Sequence, residues 1–516
     1  MTLDLNPQFT HALSLLEESK QHLFITGKAG TGKSTLLDYF CASAKKKPVV
    51  LAPTGVAALN VKGQTIHRFF NFYIDVTPEK IRSKKQKPRY PKLYQKLKTI
   101  IIDEVSMLRA DLLDCIDEFL RLYGPLPGQP FGGVQMVFVG DLYQLPPVVG
   151  KEERDIFRTH YATPYFFSAK ALETAPLEVV ELETVYRQKD EQFVSLLNKI
   201  RNNSVEDADI AELNQRHLPE EEIPQDEAFT ISLTTTNAKA DEINESHLHA
   251  LKGNLHSSEA VVRGDFGKEY FPTATELQFK VGAQIMLLNN DQKKRWVNGS
   301  IGIIEAIKRD EEDEEYLRVR LHDNDKLVSV APFQWEVYKF SIEGGAIISE
   351  PAGSFTQYPF RLAWAVTIHK SQGKTFDRVV IDIGRGTFAS GQTYVGLSRC
   401  TSFEGIRLKV PIKKQYIRTD PRIYKFLTSH AYKKAAETLS FEDKLALIEQ
   451  AIATKQKLEM TYLKANDTKS KRVIVPLTVG EEDYQGKTFP GMLAYCTKRK
   501  EERMFHVGRI LELKAA

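Results

Sequence analysis

Leu23-Phe24-Ile25-Thr26-Gly27-Lys28-Ala29-Gly30-Thr31-Gly32-Lys33-Ser34 joins an apolar run to a glycine-rich loop, and Leu36-Leu37-Asp38-Tyr39-Phe40 continues with a helical pattern. A buried strand, a tight turn and a helix start, in that order, make an anion site. Glycines let successive backbone N–H groups face a phosphate, and the helix dipole adds positive potential. Gly27, Gly30, Thr31, Gly32, Lys33, Ser34 and Thr35 are the candidate nucleotide-binding residues. Lys33 can reach the β- and γ-phosphates, and the Ser34 hydroxyl can ligate Mg2+. A chance glycine-rich turn is the competing reading, disfavoured by the strand before it and the helix after it.

Outward from this loop, short apolar runs alternate with helical patterns. Pro48-Val49-Val50-Leu51-Ala52, Thr99-Ile100-Ile101-Ile102-Asp103 and Val134-Gln135-Met136-Val137-Phe138-Val139-Gly140 read as strands of a parallel sheet wrapped by helices. A new strand is expected near Leu177-Glu178-Val179-Val180-Glu181-Leu182, opening a second α/β lobe that runs to Asp377-Arg378-Val379-Val380-Ile381-Asp382 and beyond. Residues 279–348 favour β structure, with an Asn298-Gly299 turn between apolar runs and alternation in Tyr316-Leu317-Arg318-Val319-Arg320-Leu321. A small β-barrel inserted in the second lobe is the expectation, with the charge run from Arg309 to Glu315 as a solvated hairpin turn.

At 516 residues the chain exceeds one hydrophobic core, so roughly two to four domains are expected. A formal charge of +4 does not by itself point to nucleic acid. Cys41, Cys115, Cys400 and Cys496 are widely separated and form no CxxC or CxxH spacing, which argues against zinc and disulfides and fits a reducing cytoplasm. No apolar run reaches membrane-spanning length, and Met1-Thr2-Leu3-Asp4 lacks the start of a signal peptide.

Asp103 and Glu104 end an apolar strand as adjacent carboxylates, which suits nucleotide hydrolysis: Asp103 for the metal, Glu104 to polarise the attacking water. Gly140-Asp141-Leu142-Tyr143-Gln144-Leu145-Pro146-Pro147 closes the next strand, and Gln144 is placed to touch the γ-phosphate; a loop stiffened by two prolines is the alternative. Negative charge developing on a transferred phosphoryl group invites a cation from a second lobe. Arg187 in Thr184-Val185-Tyr186-Arg187-Gln188 and Arg399 in Tyr394-Val395-Gly396-Leu397-Ser398-Arg399 are the candidates, with a surface ion pair as the bland alternative for each.

The ordered series resembles the PIF family, 5′-to-3′ DNA helicases of superfamily one. The matching pieces are Gly27 to Ser34, Ala52-Pro53-Thr54-Gly55-Val56-Ala57-Ala58, Gly63-Gln64-Thr65-Ile66-His67, Asp103-Glu104-Val105-Ser106-Met107 and Gly140 to Pro147. They continue with Tyr186-Arg187-Gln188, Asn237 to Asn244, the Trp364 to Thr375 segment Trp-Ala-Val-Thr-Ile-His-Lys-Ser-Gln-Gly-Lys-Thr, and Tyr394 to Arg399, spanning residues 5–410. The resemblance implies two RecA-like lobes with ATP and Mg2+ between them and single-stranded DNA lying across both. It implies phosphate contacts for Arg187, Arg399 and Gly373, and an adenine-reading role for Gln8, whose register departs from the usual pattern. The expected limits are lobe one at 1–175 with an insertion near 61–95, lobe two at 176–246 and 356–430, and an SH3-like β subdomain at 247–355.

Pro53, Thr54, Gly55, Thr65 and His67 offer hydroxyls, backbone amides and an imidazole after strands, which suits tracking a phosphate backbone without reading bases. Thr367, His369 and Lys370 would grip neighbouring phosphates, with Asn237 beside them. Phe69, Phe70, Phe72 and Tyr73 are either a duplex-parting wedge or a core cluster. Arg82, Lys84, Lys85, Lys87 and Arg89 either draw DNA in or form a solvated loop.

Residues 447–516 resemble a WYL domain through Leu458-Glu459-Met460-Thr461-Tyr462, Arg472-Val473-Ile474-Val475-Pro476-Leu477 and Arg503-Met504-Phe505-His506-Val507-Gly508-Arg509-Ile510. Gly491-Met492-Leu493-Ala494-Tyr495 lacks the tryptophan of the name, which puts a retained ligand site in doubt. Tyr495, Arg503 and Arg509 are candidates for a single-strand contact, against a purely structural role. The expectation is an ATP-dependent DNA helicase, a cytoplasmic monomer acting on single strands and single/double-strand junctions; the 5′-to-3′ direction and a place in DNA repair, recombination or telomere maintenance are what the resemblance implies. Its rivals are a translocase that displaces proteins without unwinding, and a WYL-based regulatory DNA-binding protein.

Overall fold

The computed structural model describes residues 6–44, 47–73, 75–84, 87–150, 153–188, 190–219, 229–322, 324–343, 346–384, 386–387, 389–484 and 487–516, with the backbone alone at 156, 339–343, 346–349, 484 and 487. Lys85, one of the basic residues singled out above, lies outside them.

Five short, largely apolar runs and the two polar residues of β3 form one parallel sheet: β1 (His22–Gly27), β2 (Val49–Ala52), β3 (Gln64–Thr65), β4 (Thr99–Ile102), β5 (Gln135–Val139) and β6 (Leu177–Leu182), in the order β3-β2-β4-β5-β1-β6. Parallel pairing requires crossovers, which place helices on the faces, so central strands read as unbroken hydrophobic runs. Ile100, Ile101 and Ile102 are fully buried accordingly. Helix α1 (Pro7–Glu18), started by the Asn6 side chain accepting from the Phe9 amide, packs Phe9, Ala12 and Leu16 into the core of this sheet. The boundary expected at residue 175 is corrected here. β6 pairs in parallel with β1 along its full length, so it completes the first sheet rather than opening the second.

β7 (Ile231–Thr234) begins the second sheet, and a long antiparallel segment follows before that sheet resumes. The segment comprises β8 (His256–Glu259), β9 (Val261–Gly264), β10 (Glu276–Phe279), β11 (Gln284–Leu287), β12 (Ile301–Arg309), β13 (Glu315–Leu321), β14 (Leu327–Val330), β15 (Phe333–Glu343), β16 (Ala346–Gln357) and β17 (Phe360–Leu362). They pair as β14-β13-β12-β11-β17, β15-β16-β9 and β10-β8. Phe279, Ile285, Leu287, Ile304, Leu317, Val319 and Phe360 fill the subdomain core. The charge run forms the β12–β13 turn as expected, with Arg309 paired to Asp313. Asn298-Gly299 makes the expected turn, closed by the Ser300 N–H donating to the Val297 carbonyl at 2.9 Å, within the connection between the antiparallel neighbours β11 and β12; Gly299 has φ +105° there.

The second sheet then closes with β18 (Ala365–Thr367), β19 (Val379–Asp382) and β20 (Ile406–Leu408) in the parallel order β18-β7-β19-β20. The fold is therefore mixed α/β: two parallel RecA-like sheets, an antiparallel insertion, and a β-rich C-terminal region. By its internal contacts the chain divides into a unit of residues 1–198 and 205–418 and a unit of 199–204 and 419–516. The second unit has the helices Pro421–Thr438 and Phe441–Thr454 and the antiparallel sheet β24-β23-β22-β21-β25, made of β21 (Leu458–Leu463), β22 (Lys469–Tyr484), β23 (Lys487–Cys496), β24 (Glu501–His506) and β25 (Ile510–Ala515). Its core is built on Ile448, Met460, Ile474, Met492 and Ile510. Among the described residues no helix is long and apolar enough to cross a membrane.

Candidate nucleotide pocket and polynucleotide groove

Ligands of open parallel sheets sit beyond the carboxyl ends of the strands. The β1 end turns through the glycine-rich loop into helix α2 (Lys33–Ser43), whose first turn carries Ser34 and Thr35. Gly30 has φ +81°, and a Cβ there would collide with the Arg187 Cβ at 2.5 Å, so glycine is needed both for conformation and for the approach of the Arg187 segment. The Lys33 ammonium donates to the carbonyls of Gly27 at 2.7 Å and Lys28 at 2.9 Å, folded over its own loop. Thr31 is buried and bonded to the Lys28 carbonyl, a structural role.

Asp103 and Glu104 follow β4. Removal from bulk water raises both carboxyls; the Asp103 charge adds to the rise at Glu104, which reaches about 7, while the Glu104 backbone N–H and the Lys33 charge hold Asp103 back. Glu104 sits at φ 51°, ψ 42°, a left-handed conformation costly for a residue with a Cβ and concentrated at functional sites. No sequence pattern revealed that strain. At the β5 end, the Gln144 amide lies 3.5 Å from the Asp141 carboxylate and accepts at 3.4 Å from Gln372 of the second sheet.

Two arginines converge here, Arg187 from the segment after β6 and Arg399 from just past the helix Gln392–Leu397 that follows the second-sheet strand β19. Arg187 donates to the Ser398 carbonyl at 3.3 Å, and neighbouring Gln188 donates to the carbonyls of Ser398 and Cys400 at 3.1 Å each. Arg399 is 1% exposed, and its guanidinium is held by the carbonyls of Val395, Ser371 and Lys374 and by the Ser398 hydroxyl. Burial and the nearby Arg187 charge pull Arg399 down to about 9, while Glu104 and Asp141 oppose that fall. Buried cations repelling one another beside buried acids are what an anionic ligand with its cation would relieve. Gly373, with φ +75° and open space around it, lies in the turn whose Ser371 and Lys374 carbonyls hold Arg399.

Gln8 accepts from the Glu183 amide at 3.2 Å and donates to the Glu183 carboxylate at 3.3 Å, next to the loop rather than free to read a base in this state. Ser34, Asp103 and Glu104 supply hard oxygen donors of the kind Mg2+ prefers. Among the described residues no cluster of three His, Cys, Asp or Glu could hold a metal alone, so Ser34 and Asp103 would hold Mg2+ together with phosphate oxygens.

A groove of about 960 Å³ runs over the ends of β2 and β3, lined by Pro53, Thr54, Gly55, Thr65, His67, Phe69 and Arg89. Thr54 and Thr65 each cap a short helix, accepting from Ala57 and Arg68, which leaves the helix starts facing the groove. Burial, then the Arg109 charge, lowers His67 and keeps it neutral. From the inserted subdomain, the Tyr270 hydroxyl bonds the Thr65 hydroxyl at 2.7 Å and amide at 3.1 Å, Asp265 pairs with Arg68, and the Tyr338 carbonyl accepts from Gln64. A Cβ on Gly55 would strike the Glu269 carbonyl, so the insertion packs directly on this grip. Sequence reasoning missed Tyr270, Gln64, Arg68 and Asp265, because nothing near Tyr270 announces a partner more than two hundred residues away.

The wedge reading is corrected. Phe69, Phe70 and Phe72 are buried with Tyr94 and Phe119 in an aromatic core, and Tyr73 alone of the four is exposed. Of the basic run, Arg82 is committed to Glu79 and Glu118, whereas Arg89 lines the groove. On the second sheet, Thr367 is in register with Thr234 at the strand ends, Asn237 opens the helix after β7, and His369 and Lys370 occupy the turn after β18. Lys370 is exposed, and burial lowers His369 toward neutrality.

In the C-terminal unit, the β23–β24 register sets Tyr495 opposite Glu502 and Arg503 opposite Ala494. Opposed residues share a face and neighbours alternate, so Tyr495 and Arg503 point to opposite sides of the sheet and cannot form one contact. That joint assignment is withdrawn.

Comparison with known proteins agrees with this geometry. Residues 8–210 match the family model of PIF1-like helicase, and residues 443–515 match that of the WYL domain. The ATP-dependent DNA helicase Pif1 of Bdellovibrio bacteriovorus is 31% identical over 439 residues, covering 82% of this chain and 92% of that protein. The mouse ATP-dependent DNA helicase PIF1 is 33% identical over 416 residues, 79% of this chain; the chain spans only 60% of that relative's length. The Bacteroides Pif1 crystal structure with ADP-AlF4 superposes with a TM-score of 0.76 at 35% identity, covering 84% of this chain and 98% of that one; the same enzyme bound to single-stranded DNA gives 0.59.

Proposed function

The chain belongs to the PIF1-like helicase family, and from that premise we propose that it is an ATP-dependent DNA helicase moving 5′ to 3′ on single strands. One observation carries the proposal: Arg187 packs against Gly30 of the glycine-rich loop and donates to the carbonyl of Ser398, next to the buried Arg399, so a triphosphate on Lys33 would touch both sheets. Lys33 and the loop amides would bind the phosphates, Ser34 and Asp103 would hold Mg2+, and Glu104 would orient the attacking water. Bound Mg2+ would supply charge neutralisation at the phosphates. Arg187 and Arg399 would stabilise charge developing on the γ-phosphoryl, and Gln144, bonded to Gln372, would report its loss across the cleft.

Opening and closing of the two sheets would then shift the Thr54–Thr65 grip against the Thr367–Lys370 grip. Separating a duplex costs about 1.4 kcal/mol per base-pair step, a load that repeated hydrolysis can meet. The direction rests on family membership, as does the choice of single-strand/duplex junctions as substrate. The Bacteroides Pif1 structures with single-stranded DNA and with forked DNA support that choice. We further propose that the enzyme works as a cytoplasmic monomer, in repair or recombination and, where chromosome ends call for it, telomere maintenance. In the C-terminal unit Tyr495, which is exposed, stands as a single-strand contact without Arg503.

The test is DNA-stimulated ATP turnover and strand displacement by the full chain beside Glu104→Gln. The native chain should do both, and Glu104→Gln should lose roughly 10²- to 10⁴-fold in turnover. Turnover without displacement would establish a translocase instead. Equal behaviour of the two chains would favour a regulatory DNA-binding protein.

A further inference from the structure

Tyr394 lies on the helix Gln392–Leu397 of the second sheet and is 4% exposed, yet its hydroxyl reaches into the first. It accepts from the Ala29 amide of the glycine-rich loop at 3.0 Å and donates to the Asp141 carboxylate at 3.3 Å. Asp141 sits 3.5 Å from the Gln144 amide, at the end of the pocket where a γ-phosphate would lie. Glycine-rich loop amides exist to receive phosphate oxygens, and here one of them is already spoken for.

We propose that Tyr394 is a positioning residue for the nucleotide cycle: its hydroxyl latches the loop to the second sheet when no triphosphate is bound, and the γ-phosphate end of ATP displaces it. The inference deepens the helicase reading and rests on it. Displacement would break the Ala29 and Asp141 bonds together. Because the Arg399 guanidinium is held by the carbonyl of Val395, the next residue on the same helix, movement of Tyr394 carries the Arg399 anchor with it. ADP lacks the displacing group and would leave the latch in place.

The sign follows from which state the hydroxyl stabilises. Tyr394→Phe keeps the buried ring and deletes both bonds, so it destabilises the triphosphate-free state alone. Equilibrium binding of a non-hydrolysable ATP analogue to the full chain without DNA should tighten roughly 2- to 10-fold in the variant, with ADP binding unchanged. A merely structural tyrosine would weaken both ligands alike. Unchanged or weaker binding of the analogue overturns the proposal. A second measurement needs no variant: hydrogen exchange at the Ala29 amide of the native chain should be slow without nucleotide and with ADP, and fast exchange there overturns it equally. Neither experiment involves DNA, so failure here is separable from failure of DNA-stimulated turnover in the native chain.

Discussion

The nucleotide pocket and the groove over Thr54 and Thr65 sit at the carboxyl ends of one sheet, yet they handle charge in opposite ways. In the pocket, Arg399 is 1% exposed, Arg187 repels it, and burial pushes the carboxyls of Glu104 and Asp103 upward, with the Asp103 charge adding to the rise at Glu104. These charges are poorly compensated until a nucleotide and its cation arrive, which makes the site selective for a ligand carrying both signs. In the first-sheet half of the groove the partners are helix-capping hydroxyls, a neutral imidazole and backbone, with Arg89 at the lining and Arg68 neutralised by Asp265. Such groups bind a sugar-phosphate chain of any sequence without holding it fast, as a protein that moves along it requires.

The comparison breaks most visibly at Arg399. Arg399→Ala should lower DNA-stimulated turnover roughly 10³-fold or more while nucleotide binding persists, because the arginine acts on transition-state charge. A loss within tenfold, measured by phosphate release, would mean that the pocket does not depend on the second sheet. The groove offers the finer contrast. Lys370→Ala should flatten the slope of log affinity against log salt by about 0.7 for single-stranded DNA, as removal of one phosphate cation does. His67→Ala should weaken binding at every salt concentration and leave that slope unchanged, since burial and Arg109 keep His67 uncharged. A salt titration of fluorescent oligonucleotide binding by both variants checks the pair.

A smaller effect concerns stability and pH. Glu104 has a folded value of about 7 against 4.5 in the unfolded chain, so the folded protein resists ionising it. The native chain therefore loses stability relative to Glu104→Gln as pH climbs from about 4.5 to about 7, with no further change above. Thermal melts without nucleotide at pH 5, 6, 7 and 8 should show the glutamine variant gaining most at the two highest values. A gap that shrinks as pH rises would contradict the burial of that carboxyl.

How far the sequence could be read follows from the range over which each signal acts. The glycine-rich loop, Asp103-Glu104 and Gly140-to-Pro147 are local patterns at strand ends, and the structure gathers them because consecutive parallel strands deliver their ends to one side. The extent of the first sheet was misjudged, because β6 joins β1 beyond more than a hundred residues of intervening chain and nothing in Leu177–Leu182 names its neighbour. The aromatic run at Phe69–Phe72 left a wedge and a core cluster both open, because sequence cannot tell a buried ring from an exposed one; packing against Tyr94 and Phe119 decides for the core. Tyr394 stood inside a legible motif, but its partners Ala29 and Asp141 belong to the other sheet. Of the candidates Tyr495, Arg503 and Arg509, the first two fall on opposite faces because strand register, which no local pattern announces, decides the face each residue takes.

Unwinding of partial duplexes that carry either a 5′ or a 3′ single-stranded tail, with ATP and Mg2+, tests the central claim most directly. A motor of the kind described separates the strands only when the tail is 5′, and Glu104→Gln separates neither. Displacement from 3′ tails alone, or displacement that persists in Glu104→Gln, contradicts it.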